Sequence, residues 1–167
     1  MGLAVYTDER RAGPVGEVRD ALLAPDGSVA ALVVLPTRGF LRKEAILPVS
    51  SFRRISPEGA LLNGPLVQRG AEPEAQGIRL YGGDDALCGK LLVSEDGETI
   101  GTIGDVVFEQ GALRLWGFEV SDGILRDIFA GRPVVEAAGS FVDGERVILG
   151  ARGGRHMNLT PGGHPSP

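Results

Sequence analysis

The sequence predicts an all-β protein made of two small β-barrels in tandem, each with five to six short strands and at most one helical turn. Three observations predict it. Glycine and proline supply 26 and 11 of the 167 residues and are spread along the chain, as expected where turns join many short strands. Apolar runs have the length of single strands, and helical periodicity is weak and confined to Leu125–Ala130. The third observation is an internal repeat.

The repeat relates the two halves of the chain. Val15–Asp20 matches Ile100–Asp105 at an offset of 85 residues, and an apolar stretch and a turn follow each segment. Pro48-Val49 corresponds in the same way to Pro133-Val134. Order, spacing and turn positions agree over roughly 60 residues, which chance rarely produces. Short strands at regular turn intervals favour a barrel, because closure removes exposed sheet edges.

The predicted elements follow this repeat. The first copy has strands at Leu3–Thr7, Gly16–Ala24, Val29–Leu35, Glu44–Val49 and Ala60–Leu62. The second copy has strands at Lys90–Ser94, Thr99–Glu109, Ala112–Ser121, Arg132–Glu136 and Glu145–Leu149. In the first copy, Ser50–Arg54 is predicted to form one helical turn, with Ser50 or Ser51 as its cap.

The domain organisation comes from the same patterns. Residues 1–62 form the first barrel and residues 79–150 the second. Residues 63–78 lack apolar periodicity and are predicted to be a linker, and residues 151–167, rich in glycine and proline, a disordered tail.

Charge and composition narrow the function. The net charge of −5 is divided into +2 for residues 1–70 and −7 for residues 71–167, which disfavours a strongly basic nucleic-acid binder. The single cysteine, Cys88, excludes an intramolecular disulfide and a cysteine-based zinc site. No apolar run approaches the roughly 18 residues of a membrane span, and the start of the chain lacks a secretory pattern. We therefore expect a soluble, cytoplasmic protein.

The residue types that carry catalysis are poorly placed for it. His156 and His164 are the only histidines, and both lie in the predicted tail, where they would not be held rigidly. Asp20 and Asp105 occupy equivalent places in the two copies, so each is expected to bind backbone amides within its own barrel. Gly16 and Gly101 are expected to mark a bulge or a close backbone approach. The sequence predicts no catalytic residue, no metal site and no cofactor.

The residues of the repeat also carry a family resemblance. Gly16-x-Val18-x-Asp20, the apolar segment after it and Ile46–Phe52 resemble the PRC-barrel family, as do Leu87–Lys90 and Glu95–Gly101 in the second copy. That superfamily includes the cytoplasmic domain of the photosynthetic reaction-centre H subunit and the C-terminal domain of the ribosome maturation factor. The resemblance implies two small barrels that serve as docking modules without catalysis.

Five basic residues are the candidates for binding a partner: Arg38, Arg42, Lys43, Arg53 and Arg54. If their two segments are adjacent, they form a basic patch able to contact an acidic partner or phosphates. The alternative is a solvated face on which arginine stems cover the small barrel.

Three functions remain open at this point. The first is a non-enzymatic adaptor or assembly module that binds a protein partner. The second is an accessory in RNA processing or ribosome assembly that uses the basic patch to bind RNA or a ribosomal particle. An enzyme has the least support, because its acid and base would have to be carboxylates with no visible partner.

Overall fold

The computed structural model describes residues 2–7, 13–38, 43–66, 77–109, 111–121 and 133–150. The chain divides into two compact units, Met1–Leu80 and Tyr81–Pro167. Within the described ranges, no helix is long and apolar enough to span a membrane. The predicted tail, most of the predicted linker and Leu125–Ala130 fall outside these ranges.

The first unit is a sheet with the strand order β4-β3-β2-β1-β6-β5, and β7 also pairs with β2. Neighbouring strands are antiparallel except β1 and β6, which are parallel. A 3-10 helix at Val49–Ser51 joins β4 to β5. The strands are β1 (Ala4–Tyr6), β2 (Gly16–Leu23), β3 (Val29–Pro36), β4 (Ala45–Pro48), β5 (Phe52–Ser56), β6 (Gly59–Leu62) and β7 (Ile78–Arg79).

The second unit repeats this topology with the order β11-β10-β9-β8-β13-β12. Its one parallel pair among the described strands, β8 and β13, corresponds to β1 and β6. The strands are β8 (Leu91–Val93), β9 (Thr99–Phe108), β10 (Leu115–Ser121), β11 (Val134–Glu136), β12 (Phe141–Asp143) and β13 (Arg146–Ile148). The all-β prediction is confirmed, and the two successive sheets are those expected of two small barrels.

A shared bulge explains the motif that begins each copy. The pairing of β2 with β3 shifts between Val18 and Asp20, and that of β9 with β10 shifts between Ile103 and Asp105. A bulge adds one unpaired residue and redirects the side chains around it. In the first unit, Val18 and Asp20 are both buried. The apolar residue therefore packs into the core while the carboxylate turns toward backbone amides.

Each unit has its own apolar core. In the first unit, the branched side chains of Val5, Val33 and Val34 are fully buried. In the second unit, Ile103 of β9 and Phe118 of β10 are the largest fully buried side chains of the two long strands. Since burial of apolar surface is the main favourable term in folding, each unit carries a stabilising core within its own sheet.

The structure corrects the prediction at the helical turn of the first unit. The helical turn covers Val49–Ser51, begins at Pro48 and has no side-chain capping hydrogen bond, so Ser50 and Ser51 are not its caps. Arg53 and Arg54 lie in β5 rather than on a helical turn. The last strand of the first unit, β7, pairs with β2, and the unit extends to Leu80. This boundary lies two residues after the predicted one, at which the linker ends with residue 78 and the second barrel begins with residue 79.

Replacing Gly16 with alanine is expected to destabilise the first unit by about 1–3 kcal/mol, because the added carbon has no room. A Cβ at this position would lie 2.6 Å from Val34 Cγ1 and 3.1 Å from the Leu35 carbonyl oxygen. Urea unfolding followed by circular dichroism measures the change. Gly13→Ala is the matched control, since a Cβ there meets nothing within 4 Å. Equal stability of the two variants would contradict the close approach.

Candidate functional site

The two equivalent aspartates each accept hydrogen bonds inside their own unit. Asp20 Oδ1 accepts the amide hydrogen of Ala21 at 2.8 Å and that of Leu80 at 3.2 Å. Asp105 Oδ1 accepts the Val106 amide at 2.7 Å and the Tyr81 hydroxyl. Both carboxylates therefore accept hydrogen bonds from backbone amides, which is the structural role that the sequence favours.

The four described basic candidates are exposed and lie on either side of β4. Arg38 follows β3 and Lys43 precedes β4, so both lie near the Val34–Ala45 end of that strand pair. Arg53 and Arg54 come after the 3-10 helix that leaves the Ala31–Pro48 end. Along the chain, β4 and the 3-10 helix lie between the two pairs. Arg42 lies outside the described residues.

Carboxylates are interleaved with these basic residues. Arg54 Nη2 lies 4.0 Å from Glu58 Oε2, and Arg79 Nη2 lies 3.1 Å from Glu44 Oε2. Hydrogen bonds from the Ser56 side chain and from the backbone amide of Glu58, with Arg54 nearby, lower the pKa of the Glu58 carboxyl. Glu58 is therefore anionic at neutral pH and offsets part of the positive charge of β5.

An apolar groove lies between β4, the 3-10 helix and the segment after β6. Its volume is about 430 Å³. The apolar residues that line it are Ile46, Leu47, Pro48, Leu62, Pro65 and Leu66, and the polar ones include Ser50, Ser51 and Asn63. Asn63 fixes one side, because its backbone amide donates to the Ser51 carbonyl oxygen at 2.9 Å and its side-chain Nδ2 donates to the Ser50 carbonyl oxygen at 3.0 Å.

The groove lies beside a sheet edge. β4 is the terminal strand of the first sheet and pairs with β3 among the described strands. Ile46 is half-buried and packs against the buried residues Leu22, Ala31 and Val33. The groove therefore combines a fixed apolar wall with a strand whose second edge faces away from the sheet, and these are the two features that bind extended segments of other proteins.

The second unit has exposed apolar residues that the sequence analysis did not single out. Phe141 and Val142 lie in β12 and are 56% and 37% exposed. They were missed because Phe-Val-Asp is too short to show strand alternation before the turn at Asp143-Gly144. In the structure β12 pairs with β13 and ends its sheet.

Residue types used in catalysis are dispersed in the described part of the chain. Within it, no three His, Cys, Asp or Glu side chains come together in a way that could hold a metal ion. Cys88 is half-buried. Lys90 is buried, and its Nζ donates to the Gly144 carbonyl oxygen at 2.9 Å, so it holds the turn between β12 and β13. His156 and His164 lie outside the described residues.

Comparison with known proteins bears on the second unit. No curated protein matches the chain. The family model of the PRC-barrel domain matches residues 83–142, which include β8 to β11 and the first two residues of β12. The second unit of this chain therefore contains a PRC-barrel domain.

Proposed function

We propose that this chain is a non-enzymatic tandem PRC-barrel protein that acts as a protein-binding adaptor. The observation that carries the proposal is the apolar groove beside β4, which is the terminal strand of the first sheet among the described strands. The PRC-barrel domain at residues 83–142 supports a docking role. The shared strand order of the two units supports a second barrel of the same type in the first unit.

The partner expected in the groove is an extended, apolar segment of another protein that carries acidic residues. Ile46, Pro65 and Leu66 offer apolar surface, and burying it against a partner contributes about 25 cal/mol per Å² before the costs of association. Arg53 and Arg54, which follow the 3-10 helix at the side of the groove, are exposed and favour a partner of negative charge.

Site-specific photo-cross-linking tests this function. A photoreactive residue replaces Leu66 in the groove, and in a control protein it replaces Pro25, which is exposed in the turn between β2 and β3. We expect one defined protein to be cross-linked from position 66 in the native cell and not from position 25. The partner, once purified, should bind the wild-type chain at least tenfold more tightly than Ile46→Glu, because a carboxylate in the apolar wall is desolvated without a partner.

The control for folding is the unfolding midpoint of Ile46→Glu, since Ile46 also contacts the buried residues beneath it. Leu66→Glu provides a second groove variant at a residue outside that cluster. Cross-linking that is equal at positions 66 and 25, or purified partner that binds Leu66→Glu as it binds the wild type, would contradict the proposal.

RNA binding through Arg53 and Arg54 is the second candidate function. Its support is the exposure of both side chains on β5, and the neighbouring carboxylate of Glu58 weakens it. RNA bound by this route should be released steeply by salt through counterion exchange, and Arg53→Ala/Arg54→Ala should abolish it. Cross-linking of RNA rather than protein at the groove would favour this function over the adaptor.

A further inference from the structure

We infer that β12 of the second unit is a docking edge for a basic, apolar, extended peptide segment, which adds a strand to the sheet. This site is distinct from the groove of the first unit, and its test does not depend on that groove. The inference rests on three observations: the position of β12 in its sheet, the difference between equivalent residues in the two units, and the charge of the second unit.

The first observation is the position and exposure of β12. It is the terminal strand of its sheet, and β13 is its neighbour among the described strands. All three of its residues are exposed. Phe141 lies opposite Ile148, and Val142 lies opposite Val147, which is 1% exposed. Since opposite residues share a face of the sheet, Val142 faces the core side, and Phe141 and Ile148 form an apolar pair on the outer face.

The second observation comes from the matching hairpin of the first unit. Beside the turn, Ser56 pairs with Gly59 as Asp143 pairs with Arg146. Two residues earlier along β5, Arg54 pairs with Leu61, so Arg54 is equivalent to Phe141. A charged residue on an edge strand prevents unwanted pairing with other strands. The first unit has this protection, whereas the second has an exposed phenylalanine in its place.

The edge is also held in place for such a role. The buried Lys90 donates from Nζ to the carbonyl oxygen of Gly144 in the β12–β13 turn. A buried ammonium group is costly unless it is hydrogen-bonded, so this contact fixes the turn against the first strand of the unit. A fixed edge loses little conformational entropy when a further strand pairs with it.

The third observation identifies the chemistry of the partner. The described residues of the second unit include 11 acidic and 3 basic side chains, and Lys90, one of the basic three, is buried. Asp143 ends β12 and Glu145 follows it in the turn, and both are exposed, as is Arg146, which pairs with Asp143. A segment with lysine or arginine between apolar residues complements this charge. Two copies of β12 would instead bring like charges together, which disfavours pairing of the edge with itself.

A designed peptide tests the inference on the full chain. The probe is a short fluorescent peptide that alternates lysine and valine, and its binding is measured by fluorescence anisotropy at low salt. We expect binding that weakens as salt is added, and amide hydrogen exchange at Phe141–Asp143 should slow in the complex. A peptide of the same length that alternates glutamate and valine should not bind, nor should a lysine–valine peptide with proline at its centre, because proline lacks the amide hydrogen that a strand donates.

Two matched variants locate the site. Phe141→Arg places in β12 the residue type that the first unit has at the equivalent position, Arg54. It should weaken binding of the lysine–valine peptide at least tenfold. Leu113→Arg makes the same change at an apolar residue of the second unit that is 37% exposed and lies outside the strands, and it should bind within twofold of wild type. Both sites are exposed, so circular dichroism should show unchanged unfolding midpoints.

Different results would overturn the binding mode and the identity of the occupant. Equal loss in the two variants, or equal binding of the proline peptide, would overturn strand addition at β12. Absence of binding, or concentration-dependent dimers in sedimentation that Phe141→Arg removes, would overturn the basic peptide as the occupant. None of these results alters cross-linking at position 66, so failure here is distinguishable from failure of the adaptor function.

Discussion

Replacing Leu80 with alanine is expected to lower the free energy of unfolding of the first unit by about 2–5 kcal/mol, as is typical of truncating a buried leucine. Leu80 is 0% exposed. Its amide donates to the Ala21 carbonyl oxygen at 3.0 Å and to Asp20 Oδ1 at 3.2 Å. Loss of the side chain leaves a cavity beneath the segment that these bonds hold against β2.

Amide hydrogen exchange measures this effect where it should occur. Exchange in β2 and β3 is expected to accelerate in Leu80→Ala, because both strands belong to the unit that loses the buried side chain. Trp116 lies in β10, so its fluorescence reports on the second unit. Leu113→Ala removes a leucine that is 37% exposed and is the control. If Leu80→Ala changed the fluorescence of Trp116 but left hydrogen exchange in β2 and β3 unchanged, the assignment of Leu80 to the first unit would be contradicted.

The role of residues 77–80 shows where prediction from sequence reached its limit. β7 is two residues long and follows a stretch without apolar periodicity, so nothing local marks it as a strand. Its pairing with Leu22 and Leu23 joins residues more than 50 positions apart. Such contacts depend on the folded sheet rather than on local preference. The longer strands β2, β3, β9 and β10 were predictable because their apolar runs and bounding turns are local.

The candidate sites divide in the same way. The sequence identified the charge difference between the halves and the exposed arginines, since composition and motif carry that information. It could not identify the groove, because Ile46 and Leu66 become its walls only once β4 and the segment after β6 are brought together. Phe141 was equally hidden: an apolar residue beside a turn is as consistent with burial as with exposure, and the sheet order decides which.

The repeat also clarifies how one scaffold could serve two partners. The two units share the bulge and the aspartate that follows it, and these positions maintain the sheet. Their terminal hairpins differ, with Arg54 in one unit and Phe141 in the other. Under the two binding sites proposed above, the shared residues carry stability and the divergent edges carry specificity.

Replacing Asp20 with alanine is expected to cost about 1.5–3 kcal/mol, the usual contribution of a hydrogen bond to a charged group. The buried Ala21 amide loses a charged acceptor, while the Leu80 amide keeps the Ala21 carbonyl oxygen as its acceptor. Asp20 is 3% exposed, so water does not replace the lost oxygen without a rearrangement of β2. Asp20→Asn keeps an oxygen at Oδ1 and is expected to cost about 1 kcal/mol, since a neutral acceptor forms weaker bonds. Chemical denaturation monitored by circular dichroism gives both values.

Asp105 provides the comparison within the same chain. Its carboxylate accepts one backbone amide, that of Val106, and the hydroxyl of Tyr81, which is 42% exposed. Water can reach this site, so Asp105→Ala should be less destabilising than Asp20→Ala. A variant of Asp20 that leaves stability unchanged, or one that costs less than Asp105→Ala, would show that the repeated aspartate is not kept for the backbone amides it accepts. The expected order instead makes the Asp20 carboxylate a stabilising contact that, together with the pairing of β7 and β2, holds Leu80 against the first sheet.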